Sequence, residues 1–119
     1  MSAAHLTVER KRTATDAVLL LVGEIDMATA DDLRDAAAQL LTEPIDRIVL
    51  DFAGVTFCDS QGLSVLISLH REVAASGGRL VLANLGEFME RLLEITGLRG
   101  AFEVADNESP RNNESPRTS

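Results

Sequence analysis

The chain has one cysteine, Cys58, and one lysine, Lys11. A single cysteine excludes an internal disulfide, and a free thiol fits a reducing, cytoplasmic setting. The two histidines, His5 and His70, stand far apart with no metal-ligand spacing, so no metal site is expected. Long apolar runs are missing too. The longest, Ala17 to Val22, falls well short of the ~20 residues that a spanning helix needs, so membrane insertion is not expected. Met1-Ser2-Ala3-Ala4-His5 lacks a basic region followed by an apolar core, so it does not read as a secretory signal. Cations are scarce: 11 Lys and Arg against 19 Asp and Glu give a net charge of -8. Phosphate neutralisation needs the opposite balance, so direct contact with nucleic acid is not expected. There is no Gly-x-Ser-x-Gly elbow, and Gly77-Gly78 reads as a helix stop rather than a phosphate loop. With no base–nucleophile pair in sight, the sequence predicts no catalytic residues, no cofactor and no enzyme.

What is present suits one small globular domain. The chain has 119 residues, of which 45% are hydrophobic. Leu6 to Val8 reads as an edge strand, and Arg10-Lys11-Arg12 with the polar stretch to Asp16 reads as a turn. Ala17 to Gly23 reads as a buried strand. Thr29 and Asp32 have capping-box spacing, after which Leu33, Ala36, Ala37, Leu40 and Leu41 recur at helical spacing until Pro44. Asp31, Asp32 and Asp35 favour the dipole of that helix. Arg47 to Phe52 is a β-branched, apolar strand followed by a turn at Ala53-Gly54. A helix from Ser60 to Ala75 follows, with Leu63, Leu66, Ile67, His70 and Ala74 expected inward. Arg79 to Ala83 is a further strand. A last helix, Glu87 to Thr96, carries Met89, Leu92 and Leu93 and stops at Gly97, before a short strand at Phe102 and Val104. Alternating strands and helices predict an α/β fold: a mixed, mostly parallel sheet of roughly four to five strands covered by about three helices. The domain is expected over residues 1–105. Residues 106–119 read as a disordered polar tail, because Asn107-Glu108-Ser109-Pro110-Arg111 and Asn113-Glu114-Ser115-Pro116-Arg117 repeat one sequence with nothing apolar beyond proline.

Asp59-Ser60-Gln61-Gly62-Leu63 is the most informative stretch. Ser60 falls where a strand-side loop hands over to a helix N-terminus, a place of unpaired N–H groups and positive dipole that tolerates added negative charge. A serine there either caps the helix or carries a phosphate. Position alone favours the cap, because serine is a preferred N-cap. His70 lies ten residues on, roughly 15 Å along the helix, and cannot act as its base.

These residues resemble the STAS domain of bacterial anti-sigma factor antagonists. Gly23-Glu24-Ile25-Asp26 is similar to that family's Gly-Glu-Leu/Ile-Asp turn. Phe57-Cys58-Asp59-Ser60-Gln61-Gly62-Leu63 is similar to its phosphorylation motif, and Ile95-Thr96-Gly97-Leu98 to its closing Ser/Thr-Gly-Leu. The three segments keep the family's order from about His5 to Val104. The resemblance implies a cytoplasmic protein whose unphosphorylated form binds an anti-sigma factor with serine kinase activity and so frees a sigma factor. Phosphorylation would end that binding, and a metal-dependent serine phosphatase would restore it. Ser60 is then the acceptor, with Asp26 and Asp59 as neighbouring loop acids. Gln61 departs from the family, where a second hydroxyl is common, and removes a rival acceptor. Cys58 stands where Met is common and reads as a buried small hydrophobe.

Two further expectations concern surfaces and alternatives. Ser60, Ser64 and Ser68 recur every four residues beside Gln61, and charge returns only at Arg71 and Glu72. Interface cores are depleted in charge. The first two turns of this helix, with Gln61, Gly62 and Ser64, are therefore expected to meet the partner, and the resemblance adds Asp26 and Asp59. The alternatives are a STAS subunit of a membrane lipid or anion transporter, and a receiver domain phosphorylated on Asp51. The receiver pattern also wants a lysine near its last strand, and Lys11 is near the first.

Overall fold

A computed structural model describes residues 5–105. Alternating apolar residues build a five-stranded sheet in the order β1-β2-β3-β4-β5. Its strands are β1 (Leu6–Arg12), β2 (Asp16–Ile25), β3 (Arg47–Cys58), β4 (Arg79–Ala83) and β5 (Glu103–Ala105). β1 pairs antiparallel with β2, and every other neighbour pair is parallel. The helices are α1 (Ala30–Leu40), α2 (Ser60–Ala75) and α3 (Glu87–Thr96). Parallel neighbours need crossover connections, and α1, α2 and α3 supply them. The expected mixed sheet and three helices are all present.

The core lies between the helices and one face of the sheet. Leu19 and Leu21 of β2, Ile48, Leu50 and Phe52 of β3, and Leu80 and Leu82 of β4 meet Leu33 and Leu40 of α1, Leu66 and Leu69 of α2, and Met89 and Leu93 of α3. The opposite face carries a smaller cluster of Val49, Val81 and Ala83, with Val18 and Ala105 against it. β5 is tied to β4 by an Arg79–Glu103 ion pair, whose hydrogen bond holds the Glu103 carboxyl below its ordinary range.

Four local expectations are corrected. Arg10-Lys11-Arg12 is strand, because β1 pairs with β2 along its whole length from Leu6↔Gly23 to Arg12↔Ala17. Ala53-Gly54 is also strand: register shifts between Leu20/Val22 and Gly23/Glu24 let β2 and β3 stay paired as far as Ile25↔Cys58. Gly23 makes this possible. Its φ of 125° is unavailable to most residues, and a Cβ there would lie 2.1 Å from the His5 carbonyl oxygen. The capping box at Thr29 does not form. Thr29 is buried, and its hydroxyl instead donates to the Glu24 carbonyl at 2.7 Å and accepts from the Asp26 N–H. On α2 the buried face is Gly62, Leu63, Val65, Leu66, Leu69 and Val73, so Ala74 is exposed and Ile67 and His70 are only half-buried. The slip arises because α2 packs against α1 as well as the sheet, which turns its buried stripe toward Val65, Leu69 and Val73. The repeated polar segment lies outside the described residues.

Candidate functional site

The extended pairing of β2 and β3 positions the site. Ile25 and Cys58 are Cα partners at the carboxyl ends of two parallel strands, so the next residues, Asp26 and Asp59, leave the sheet side by side. The Asp59 N–H donates to the Ile25 carbonyl at 3.1 Å, which joins the two exits. Loops at such strand ends are where ligands and partners of parallel sheets are usually met.

Asp59, not Ser60, caps α2. Its backbone is extended, and its carboxylate accepts the Gly62 N–H at 2.9 Å. The charged acceptor satisfies one of the orphan donors and lies at the positive end of the dipole. Ser60 becomes the first helical residue and is exposed. Its hydroxyl meets no hydrogen-bond partner among the described residues. The cap that position alone assigned to Ser60 is thus taken by its neighbour, and the hydroxyl faces solvent.

Gly62 is buried, although a partner contact was expected of it. A Cβ at this position would lie 2.6 Å from the Ile25 carbonyl oxygen and 2.8 Å from Cys58 Sγ. The first turn of α2 therefore sits directly on the β2–β3 exit, and only glycine permits the approach. Gln61 and Ser64 are exposed on the outward side of the same turns, while Ser68 is half-buried. The uncharged strip is present over its first turns and sinks toward the body of the protein further on.

Asp26 is a turn builder. Its Oδ1 accepts the Ala28 N–H at 2.9 Å and the Thr29 N–H at 3.2 Å, and its carbonyl accepts the Ala30 N–H at 2.8 Å. These bonds fix the loop from β2 into α1. Cys58 is buried beneath the site. Desolvation first, and the Asp59 charge second, push its thiol from 9.0 up to about 12, so it is neutral and unreactive at neutral pH. Asp51, the acceptor in the receiver alternative, has both oxygens engaged, by the Ala53 N–H at 2.9 Å and the Asn84 amide at 3.0 Å. Among the described residues no group of three or more His, Cys, Asp or Glu is placed to hold a metal ion, and no helix is long and apolar enough to cross a membrane.

Sequence reasoning missed the apolar residues that flank the site. Met27, just past Asp26, is 75% exposed, and Phe57, just before Cys58, is 42% exposed. Phe57 meets Phe88 of α3 with ring centroids 5.9 Å apart. A signal was available: strand alternation with Cys58 inward sends Phe57 outward.

Residues 7–109 match the profile of the family described as the STAS domain. The chain is 34% identical over 102 residues to an anti-sigma-B factor antagonist of Bacillus subtilis, covering 85% of this chain and 92% of that protein. It is 29% identical over 107 residues to an anti-sigma F factor antagonist of Paenibacillus polymyxa, covering 87% and 90%. The crystal structure of an anti-sigma factor antagonist from Mycobacterium paratuberculosis superposes with a TM-score of 0.75 at 26% identity, over 84% of this chain and 85% of that one. The profile, the identity to a named relative and the superposition agree: this chain belongs to the STAS domain family.

Proposed function

We propose that the chain is an anti-sigma factor antagonist switched by phosphorylation of Ser60. In its unphosphorylated form it binds, in the cytoplasm, an anti-sigma factor with serine kinase activity, and this binding frees the sigma factor. Transfer of a phosphoryl group to Ser60 ends the binding, and a metal-dependent serine phosphatase restores it. The protein itself is a binding module without catalysis. The observation that carries the reading is the exposed Ser60 hydroxyl at the first position of α2, beside a helix cap already filled by Asp59. Relatives named as antagonists along nearly the whole chain support it over the transporter alternative.

The physical account is electrostatic. A phosphate adds about -1.5 to -2 charge and three acceptor oxygens. At a helix N-terminus that charge meets the positive dipole end, so the fold is not disturbed. Within a contact it must be desolvated beside Asp59 and Asp26, and an unpaired buried charge costs on the order of several kcal/mol. Asp26, Asp59, Gln61 and Ser64 are the polar part of the proposed contact, while Gly62 sets how closely α2 sits on the strand exits.

The reading is tested by intact-mass analysis of the protein purified from its native cell. It requires a species ~80 Da heavier that maps to Ser60 and is absent from Ser60→Ala. A phosphoryl group on another residue, with Ser60 always bare, contradicts it.

A further inference from the structure

Large apolar side chains that stay exposed are informative when they gather. Among the described residues these are Val22, Met27, Phe57, Phe88 and Ile95. Val22 lies on the sheet. The other four frame or extend from the Ser60 site. Met27 stands on one flank, two residues past Ile25, and Phe57 stands on the other, three residues before Ser60. Phe88, in the first turn of α3, stacks on Phe57 rather than turning into the core. Ile95 lies seven residues beyond Phe88 on the same helical face, on the order of 10 Å further along the axis, and is 75% exposed. Arg91 is exposed between them.

α3 buries Met89 and Leu93 and leaves Phe88 and Ile95 to solvent. With half-buried Leu92 between the two pairs, the apolar arc of the helix is continuous and runs past its buried stripe, which a helix serving only the core does not need. Aromatic residues, Met and Arg are the types enriched at protein interfaces, and a few such anchors carry most of a binding energy.

We propose that Phe57, Phe88 and Ile95, with Met27 on the opposite flank, form the apolar anchor of the surface that receives the anti-sigma partner, so that the contact extends from Ser60 across α3. The inference rests on the function proposed above. The occupant is the same partner because the patch is continuous with the Ser60 site: Phe57 belongs to the strand that delivers Asp59 and Ser60, and Phe88 touches Phe57. The partner is then a protein with an apolar pocket against α3, and the uncharged α2 strip meets it beside that pocket. Once the partner covers that frame, water would leave the exposed Ser60, which would strengthen the penalty for a phosphate placed there.

The test uses each anti-sigma factor of the source organism, purified and titrated by calorimetry against the full-length wild-type chain. The one that binds is then titrated against Phe88→Ser, Ile95→Ser and Ser64→Arg. The proposal expects Phe88→Ser to weaken binding about tenfold or more and Ile95→Ser to weaken it severalfold, with thermal melts unchanged. Ile95 is so exposed that its replacement cannot act through folding. If Ser64→Arg weakens binding while Phe88→Ser and Ile95→Ser bind like wild type, the α3 anchor is wrong and the Ser60 reading stands. If no anti-sigma factor binds the wild-type chain, both fall. If sedimentation shows a wild-type dimer that Phe88→Ser dissociates, the patch serves a second copy of this chain and the proposal is overturned.

Discussion

At the scale of single residues, two adjacent side chains divide two tasks. Asp59 holds the first turn of α2 by accepting the Gly62 N–H, and Ser60 leaves its hydroxyl in solvent. Asp59→Ala is expected to cost about 1 kcal/mol of stability, the usual loss of a cap, and Ser60→Ala to stay within about 0.5 kcal/mol. Urea unfolding of the two variants checks this order, and the reverse order would return the cap to Ser60. Cys58 gives a second residue-scale prediction. Its thiol is neutral in the folded state up to about pH 12, while the unfolded thiol ionises near its ordinary 9.0. The unfolded state therefore releases the proton first, and stability present below pH 9 declines as pH rises toward 12. Denaturation midpoints between pH 8 and pH 11 should fall for wild type and fall less steeply for Cys58→Ala. Equal slopes would show that the thiol is not protected.

At the scale of elements, α2 has a buried inner side and an uncharged outer side over its first turns. The inner side depends on Gly62, where a Cβ would collide with the Ile25 carbonyl and Cys58. Gly62→Ala is expected to destabilise the fold by about 1–3 kcal/mol, since backbone and a buried sulfur must shift. A thermal melt equal to wild type would mean that α2 can slide away freely. The outer side is the strip of Gln61 and Ser64. Ser64→Arg places a long cation one turn from Ser60, and it should weaken partner binding with an unaltered circular dichroism spectrum. Much of this was legible in the sequence. The apolar period showed α2 and α3, the glycines at Gly77-Gly78 and Gly97 marked their stops, and Asp-Ser at a strand-to-helix exit marked the site. Long-range registers were not legible. Ala53-Gly54 carries turn chemistry, yet β3 runs through it because β2, bulged at Gly23, continues beside it. Asp59 was hidden as a cap because both it and Ser60 are favoured caps, and only the extended Asp59 backbone decides between them. Strand alternation could have shown Phe57 outward, but its meeting with Phe88 was out of reach, since it joins a strand to a helix about thirty residues later through tertiary packing.

At the scale of the whole molecule, a rigid sheet brings two loop acids and one exposed serine together, and helices on one face hold them there. On the proposed function the fold would need no rearrangement to act as a switch, because charge added at the exposed Ser60 would change the surface and leave the core alone. The net charge of -8 would add to the repulsion of that charge at low ionic strength. The most direct test compares one titration before and after modification. The chain is phosphorylated at Ser60 to completion, verified by mass, and both forms are titrated by calorimetry against the purified anti-sigma factor. The account predicts that the unphosphorylated form binds and that the phosphorylated form loses affinity by about a hundredfold or more, as an unpaired desolvated charge requires, while the two forms melt together. Equal affinity of the two forms would contradict it.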